Sequence, residues 1–282
     1  MKVGIIGYGF VGKALHQGIL LDSKDIFLVD PLLNTNVKDL KLFQPDIVFI
    51  CVPTPMEDNG KQDISIVNSV LIDIKKYLDN PIITLKSTIL PNHLENLSKG
   101  INEFIYNPEF LREKTANYDF INSKLIIFGG SEVYTKKLAN FYKFYTKCIH
   151  QEYIFTDLMT SSLVKYSINS FLALKVTFFN ELYELYSSKN SKLSWKSFIS
   201  IIQLDERIGS SHMDVPGHDE RKGFGGACLP KDSSALVQFS IDSNQPMTLL
   251  EKAIKINNNT RSKYIIGTDR EKVQNIKFST DD

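Results

Sequence analysis

The apolar run "KVGIIG" (2–7) leads at once into "GYGFVG" (7–12), and no other feature limits the fold as strongly. Gly7, Gly9 and Gly12 have the G-x-G-x-x-G spacing between a strand pattern and a helix pattern, the context in which those glycines have a mechanism. The first makes the tight turn, the second lets a pyrophosphate approach the backbone, and the third lets helix pack on strand. Phe10 and Val11 then open a helix whose first N–H groups are available to phosphate oxygens. Asp30 ends the next apolar run 18 residues after Gly12, near the usual place for a ribose 2′-OH acceptor. Its charge opposes a 2′-phosphate and "DPLLN" offers no arginine, so NAD is expected rather than NADP.

The pattern continues through the first half. "DIFLVD" (25–30), "DIVFICV" (46–52), "PIITLKS" (81–87) and "KLIIFGG" (124–130) read as buried parallel strands. Helical stretches are expected from near Phe10, Val37, Ile64, Pro91 and Ser131. The alternation predicts an α/β fold with a Rossmann-type, doubly wound parallel sheet. From Thr156 to Ser187 a single helical pattern runs without glycine or proline, with Thr156 or Asp157 as N-cap. Further helices are expected at about 194–203, 231–242 and 247–264. The domains are therefore expected to be an NAD-binding Rossmann domain over 1–152, an all-helical domain on one long central helix over 153–265, and a polar C-terminal tail over 266–282.

Composition excludes several classes. A formal net charge of +1 favours neither nucleic acid nor an anionic membrane as partner. No apolar run reaches transmembrane length, and the N-terminus reads as a strand pattern rather than as a signal peptide. Three cysteines among 282 residues argue against a disulfide framework, so a cytoplasmic setting is expected.

Five further segments carry chemistry-bearing residues. "VPTP" (Val52, Pro53, Thr54) and "KST" (ending in Thr88) follow strands at their carboxyl ends, where open α/β sheets bind ligands. Cys51, inside an apolar run, reads as a buried small hydrophobe. "NPEFLRE" (107–113) reads as a helix start, with Asn107 as cap and Pro108 at the first position. If that helix continues, Glu109 and Glu113 share a face, as a cap or as an acid–base pair. "KYSINSF" puts Lys165 and Asn169 one helical turn apart, two donors able to stabilise an oxyanion, or a snorkelling lysine beside a satisfied asparagine. In "GFGGACLPKD" (223–232), Gly223, Gly225 and Gly226 precede Cys228, which stands just before a helix start at Pro230. That position favours thiolate and makes a nucleophile, with Asp232 one turn on. His212 and His218 match no metal pattern with it, and no metal is expected.

In this order the motifs "GYGFVG", "VPTP", "KST", "NPEFLRE", "KYSINSFLALKVTFFNE", "DERIG" and "VPGHDERKGFGGACLPKD" resemble the UDP-glucose 6-dehydrogenases of the UDP-glucose/GDP-mannose dehydrogenase family. The resemblance covers nearly the whole chain. It implies a four-electron oxidation of a sugar C6 alcohol to a carboxylate with two NAD per turnover. Cys228 matches the nucleophile that holds the aldehyde as a thiohemiacetal and then a thioester. Lys165 and Asn169 match the oxyanion-stabilising pair, and Asp232 the aspartate that works with that lysine and a water. Glu109 matches the acid implicated in thioester hydrolysis, with Phe110 and Leu111 beside it on the substrate side. Glu113 and Thr88 match positions near the nicotinamide and the ordered water. Gly223, Phe224, Gly225 and Gly226 match the substrate-holding loop, with Lys231 next to it and to the cofactor. Arg207 resembles an arginine that reaches a neighbouring subunit's substrate in some members. A homodimer through the long helix is implied.

Family members continue into a third, Rossmann-like domain that helps bind the nucleotide. This sequence ends soon after "KAIKINNNTRSKY", so a short form lacking the C-terminal UDP-binding domain is expected. Two other functions fit the same residues. A one-step β-hydroxyacid-type dehydrogenase would use the lysine–asparagine pair and need no cysteine. A non-catalytic NAD-binding subunit would be completed by a partner chain.

Overall fold

The computed structural model describes residues 1–279. The chain divides into two compact units, one of Met1–Thr54 with Asp63–Lys165, the other of Pro55–Gln62 with the residues from Tyr166 onward.

The first unit is built on a seven-stranded sheet: β1 (Val3–Ile6), β2 (Ile26–Val29), β3 (Ile47–Ile50), β4 (Ile82–Leu85), β5 (Phe104–Tyr106), β6 (Ile126–Gly130) and β7 (Tyr153–Thr156). Their order is β2-β1-β3-β4-β5-β6-β7. The first five strands are parallel, β6 runs antiparallel to β5, and β7 is parallel to β6. Two of the seven, β5 and β7, fall outside the five strands expected, and β7 lies beyond residue 152.

Alternation along the strands builds a core on each face. On one, Val48, Ile50 and Leu85 meet Val67, Val70, Leu71 and Ile74 of α3 (Ser65–Tyr77) and Leu94 and Leu97 of α4 (Pro91–Leu97). On the other, Val3, Ile5, Phe49 and Phe128 meet Ala14 and Leu15 of α1 (Phe10–Gly18), Phe120 of α5 (Ala116–Ile121), and Leu138, Phe141 and Tyr142 of α6 (Glu132–Tyr145). At about 1.5–3 kcal/mol for each fully buried aliphatic or aromatic side chain, these two layers are the dominant stabilising term for the sheet. The stretch expected to be helical from Val37 forms only a 3₁₀ turn and the short α2 (Leu40–Phe43).

The order reverses at β1, whose neighbours are β2 and β3. Such a switch point leaves a crevice at the carboxyl ends of the strands. Gly7 follows β1, the Cys51–Thr54 segment follows β3, and Lys86–Thr88 follows β4, so three of the quoted motifs lie at that end.

Helix α7 (Leu158–Ser187) is unbroken for 30 residues. Asp157 caps it, its carboxylate accepting the N–H (2.7 Å) and the hydroxyl (2.7 Å) of Thr160. The second unit contains the later part of α7 with α8 (Trp195–Ile202), α9 (Leu229–Asp242), α10 (Thr248–Arg261) and α11 (Asp269–Val273). Phe179, Ile199 and Met213 form a buried cluster, flanked by Tyr186 stacked on Phe198 at 4.3 Å. Residues read as a polar tail supply α11 and a fully buried carboxylate, Glu271. Residues 280–282 of that tail lie outside the described residues.

Candidate active site

In the first unit the glycine turn has the geometry a dinucleotide needs. Gly7 adopts a φ of 91°, and a Cβ there would lie 2.7 Å from the Cys51 carbonyl carbon. At Gly12 a Cβ would lie 2.1 Å from the Gly7 carbonyl oxygen, so only glycine lets α1 sit this close to the turn. Gly9, the N-cap of α1, has nothing within 4 Å of where its Cβ would be. Room beside the opening N–H groups of Phe10 and Val11 fits a pyrophosphate. Asp30 stands at the end of β2, accepting the Tyr8 N–H (2.7 Å) and the Leu32 N–H (2.9 Å). These two bonds fix the position of its carboxylate beside the turn.

Two loops at the sheet's carboxyl end are tied together. The Ser87 hydroxyl donates to the Val52 carbonyl (2.6 Å), and the Thr54 hydroxyl donates to that of Thr88 (3.1 Å), with Pro53 between. Beside them lies a polar core that sequence reasoning missed. Lys86 is buried, and its ammonium donates to the Asn107 carbonyl (3.3 Å), the Asn107 side-chain oxygen (2.9 Å) and the Tyr142 hydroxyl (3.3 Å). All three acceptors are neutral, and burial pulls the Lys86 pKa below its ordinary value. The available signal was a lysine directly after a buried strand, where the chain has no water to solvate it.

This network overturns the helix expected over 107–113. Asn107 spends its side chain on Lys86 and on the Ile127 carbonyl (3.0 Å), so it caps nothing. Residues 107–112 are extended or irregular, a 3₁₀ turn comes next at Glu113–Thr115, and Glu113 is exposed there. Glu109 and Glu113 therefore share no helical face. Glu109 is buried instead, with one carboxylate oxygen on the Leu111 N–H (2.6 Å) and the other 3.2 Å from the Lys165 ammonium. Lys165 also donates to the Glu109 carbonyl (2.5 Å) and lies 5.3 Å from the centre of the Phe110 ring. The pair is buried on both sides, so removing one partner strands a charge.

The second unit holds the other cluster. Asn169, Lys231 and Asp232 are buried together. The Asn169 amide donates to one Asp232 oxygen (2.6 Å) and the Lys231 ammonium to the other (2.5 Å). Cys228 stands at the N-cap of α9, one turn before Asp232, whose N–H donates to the Cys228 carbonyl (2.9 Å). The loop before it is held by asparagines: Asn180 accepts the Gly223 N–H (2.9 Å), and Asn257 accepts the Phe224 N–H (2.7 Å) and donates to the Phe224 carbonyl (3.0 Å). Arg207 is in none of these groups; it is exposed and paired with Asp205. Among the described residues no group of three or more His, Cys, Asp or Glu side chains is placed to hold a metal ion, and no helix is long and apolar enough to cross a membrane.

The three cysteines differ in setting. Burial pushes the Cys51 thiol up to about 12, only partly offset by Lys86 nearby, and burial also raises that of Cys148. With a pKa of about 12, roughly one Cys51 in ten thousand is thiolate at pH 8. Iodoacetamide at pH 8 is therefore expected to modify Cys228 well ahead of Cys51 and Cys148, as read by peptide mass mapping. Equal modification of Cys51 would contradict this assignment.

Comparison with known proteins identifies the family. Residues 31–149 match the "UDP-glucose/GDP-mannose dehydrogenase family, NAD binding domain", and residues 159–259 match the same family's central domain. A UDP-glucose 6-dehydrogenase of Rickettsia felis is 31% identical over 240 residues, covering 82% of this chain and 52% of that protein. A UDP-glucose dehydrogenase structure from Pyrobaculum islandicum superposes with a TM-score of 0.73 at 23% identity, covering 92% of this chain and 68% of that one. A 3-hydroxyisobutyrate dehydrogenase structure from Mycobacterium tuberculosis shares the fold with a TM-score of 0.70 at 14% identity, covering 93% of this chain and 94% of that one. With a Rossmann sheet, its glycine turn and both domain matches in hand, the chain belongs to the UDP-glucose/GDP-mannose dehydrogenase family. It spans about half the length of the Rickettsia relative it matches.

Proposed function

We propose that this chain carries out the NAD-dependent oxidation of a nucleotide-sugar C6 alcohol to the uronate, with UDP-glucose as the first substrate to test. The observation that carries the reading is the buried Asn169–Asp232–Lys231 cluster one helical turn from Cys228. A thiol at a helix N-terminus and a hydrogen-bonded carboxylate on the next turn suit covalent catalysis better than a structural role.

In this reading residues 1–152 hold the cofactor and 153–265 carry most of the catalytic groups. NAD, when bound, supplies the hydride acceptor twice per sugar. The Gly7–Gly12 turn holds its pyrophosphate, and Asp30 accepts its ribose hydroxyl and disfavours a 2′-phosphate. Val52, Pro53, Thr54, Thr88, Glu113 and Lys231 are assigned to the cofactor side. Phe110, Leu111, Arg207 and the 223–226 loop are assigned to the substrate.

The C6 alcohol first loses a hydride and a proton to give an aldehyde. The Cys228 thiolate adds to the aldehyde carbon, and the new oxyanion is stabilised by the Lys165 ammonium and the Asn169 amide. Loss of a second hydride from that carbon leaves a thioester. Water, positioned by Thr88 and deprotonated with help from Glu109 and Asp232, then displaces the thiolate and gives the carboxylate. Two hydrides leave per sugar, and Cys228 returns unchanged. The test is NADH yield over a panel of nucleotide sugars, with about two NADH per sugar expected. One NADH per substrate would favour the one-step route, and NAD binding without turnover a non-catalytic subunit.

A homodimer through α7 belongs to the same reading. Phe171, Phe178 and Leu185 are exposed at seven-residue intervals on this helix, an apolar stripe that a second copy could cover. Sedimentation is expected to give a dimer, and Phe178→Glu is expected to shift it towards monomer.

A further inference from the structure

The central-domain match ends at residue 259, yet residues beyond that point hold the glycine loop. Glu271 is fully buried; one carboxylate oxygen accepts the Gly226 N–H (3.1 Å) and an Arg261 Nη2 bond (2.6 Å), and the other accepts the Thr268 N–H (2.7 Å). The Thr268 hydroxyl oxygen in turn accepts the Glu271 N–H (3.3 Å), a capping box that fixes the start of α11. Arg261 is enclosed as well, with Nη1 on Asp219 (2.7 Å) and its guanidinium over the Tyr264 and Phe278 rings at 5.7 and 5.2 Å. The loop lies directly on this pair: a Cβ at Gly225 would lie 2.1 Å from Arg261 Nη2 and 2.5 Å from Glu271 Oε1.

The far end of the segment is closed too. The Gln274 carbonyl accepts the Met56 N–H (3.0 Å), Asn275 donates to the Met56 carbonyl (2.9 Å), and Lys277 pairs with Asp58 (2.8 Å). Burial pushes the Glu271 carboxyl up, but the Thr268 and Gly226 donors and Arg261 outweigh it and hold it below the usual range. Glu271 is thus an ionised acceptor inside the fold.

We infer that Glu271 is a positioning residue for the substrate loop: by taking the Gly226 N–H and Arg261 together, it fixes the backbone of residues 223–226 and the place where Cys228 stands two residues on. A loop with three glycines has more backbone freedom to lose than a loop without them, and ordering it at binding weakens affinity rather than chemistry. The inference rests on the proposed function only in naming the loop's ligand as a nucleotide sugar.

The double substitution Arg261→Met with Glu271→Leu removes the two fully buried charges together, leaves only the partly exposed Asp219 without its ion-pair partner, and removes the acceptor at Gly226. It is expected to fold, to raise KM for the nucleotide sugar about tenfold or more with a smaller change in kcat, and to speed amide exchange in 223–228. Glu271→Gln keeps an oxygen at Gly226 and is expected to restore most of the binding. Unchanged KM and exchange in the double variant would overturn the inference. So would a fall in KM, because that result would make the segment a cover over the loop. In the unaltered chain the Gly226 amide is expected to exchange as slowly as those of α10; exchange at an open-loop rate overturns the inference even if the variants do not fold. The exchange measurements also separate the two claims: no NADH from any sugar defeats the proposed function and leaves the role of Glu271 to be decided by exchange alone.

Discussion

Cys228→Ser is expected to cut NADH release from the preferred nucleotide sugar by about a thousandfold or more, while NAD and sugar still bind. Serine keeps the shape and the N-cap position of the residue but offers an alcohol that is not ionised near neutrality. The covalent route needs a nucleophile strong enough to add to an aldehyde and a leaving group good enough for water to displace, and the hydroxyl supplies neither. Any residual first-step turnover ends at the aldehyde, so the measurement is single-turnover NADH yield with trapping of aldehyde by hydroxylamine. Wild-type stoichiometry in the serine variant would exclude the thioester. The same experiment distinguishes the one-step dehydrogenase, which is indifferent to this position.

Gly12→Ala is the second large effect. The added methyl would lie 2.1 Å from the Gly7 carbonyl oxygen, a backbone atom that cannot rotate away. Relief requires α1 to move off the turn, which opens the packing of Ala14 and Leu15 on the sheet and carries the helix N-terminus away from any phosphate. Overpacking of this kind costs about 1–3 kcal/mol, so thermal unfolding should begin several degrees lower. NAD affinity is expected to fall at least about tenfold, because displacing donors by even a fraction of an ångström weakens each phosphate bond. Titration of NAD by quenching of intrinsic fluorescence, with a melting curve beside it, checks both. Wild-type affinity with an unshifted melting curve would show that the turn does not hold the cofactor.

The sheet was legible where strands were long and continuously apolar, as in "DIVFICV" and "KLIIFGG". It was illegible at β5, only three residues between polar neighbours, and at β7, where "YIFT" abuts a long helix and reads as part of the change in pattern. The helix expected at 107–113 failed for a different reason. Asn-Pro-Glu is a sound local start signal, but Lys86 needed acceptors in a place without water, and the tertiary demand for Asn107 won. Cys228, Asp232 and the lysine–asparagine spacing could be seen because helix geometry makes them neighbours in sequence. Arg261 and Glu271, ten residues apart across a turn, carry no periodic signal, and neither do the asparagines that hold the glycine loop. Such partners are chosen by packing alone.

The unbroken course of α7 has one more consequence. Lys165 and Asn169 lie four residues apart on this helix, about 6 Å at a rise of about 1.5 Å per residue. Loops elsewhere can absorb an extra residue, but a single alanine inserted between these two positions would swing one donor about 100° around the helix relative to the other. If the two donors serve one oxyanion, as proposed, chain length cannot drift at this point, and family members of very different size should all keep the asparagine one helical turn beyond the lysine.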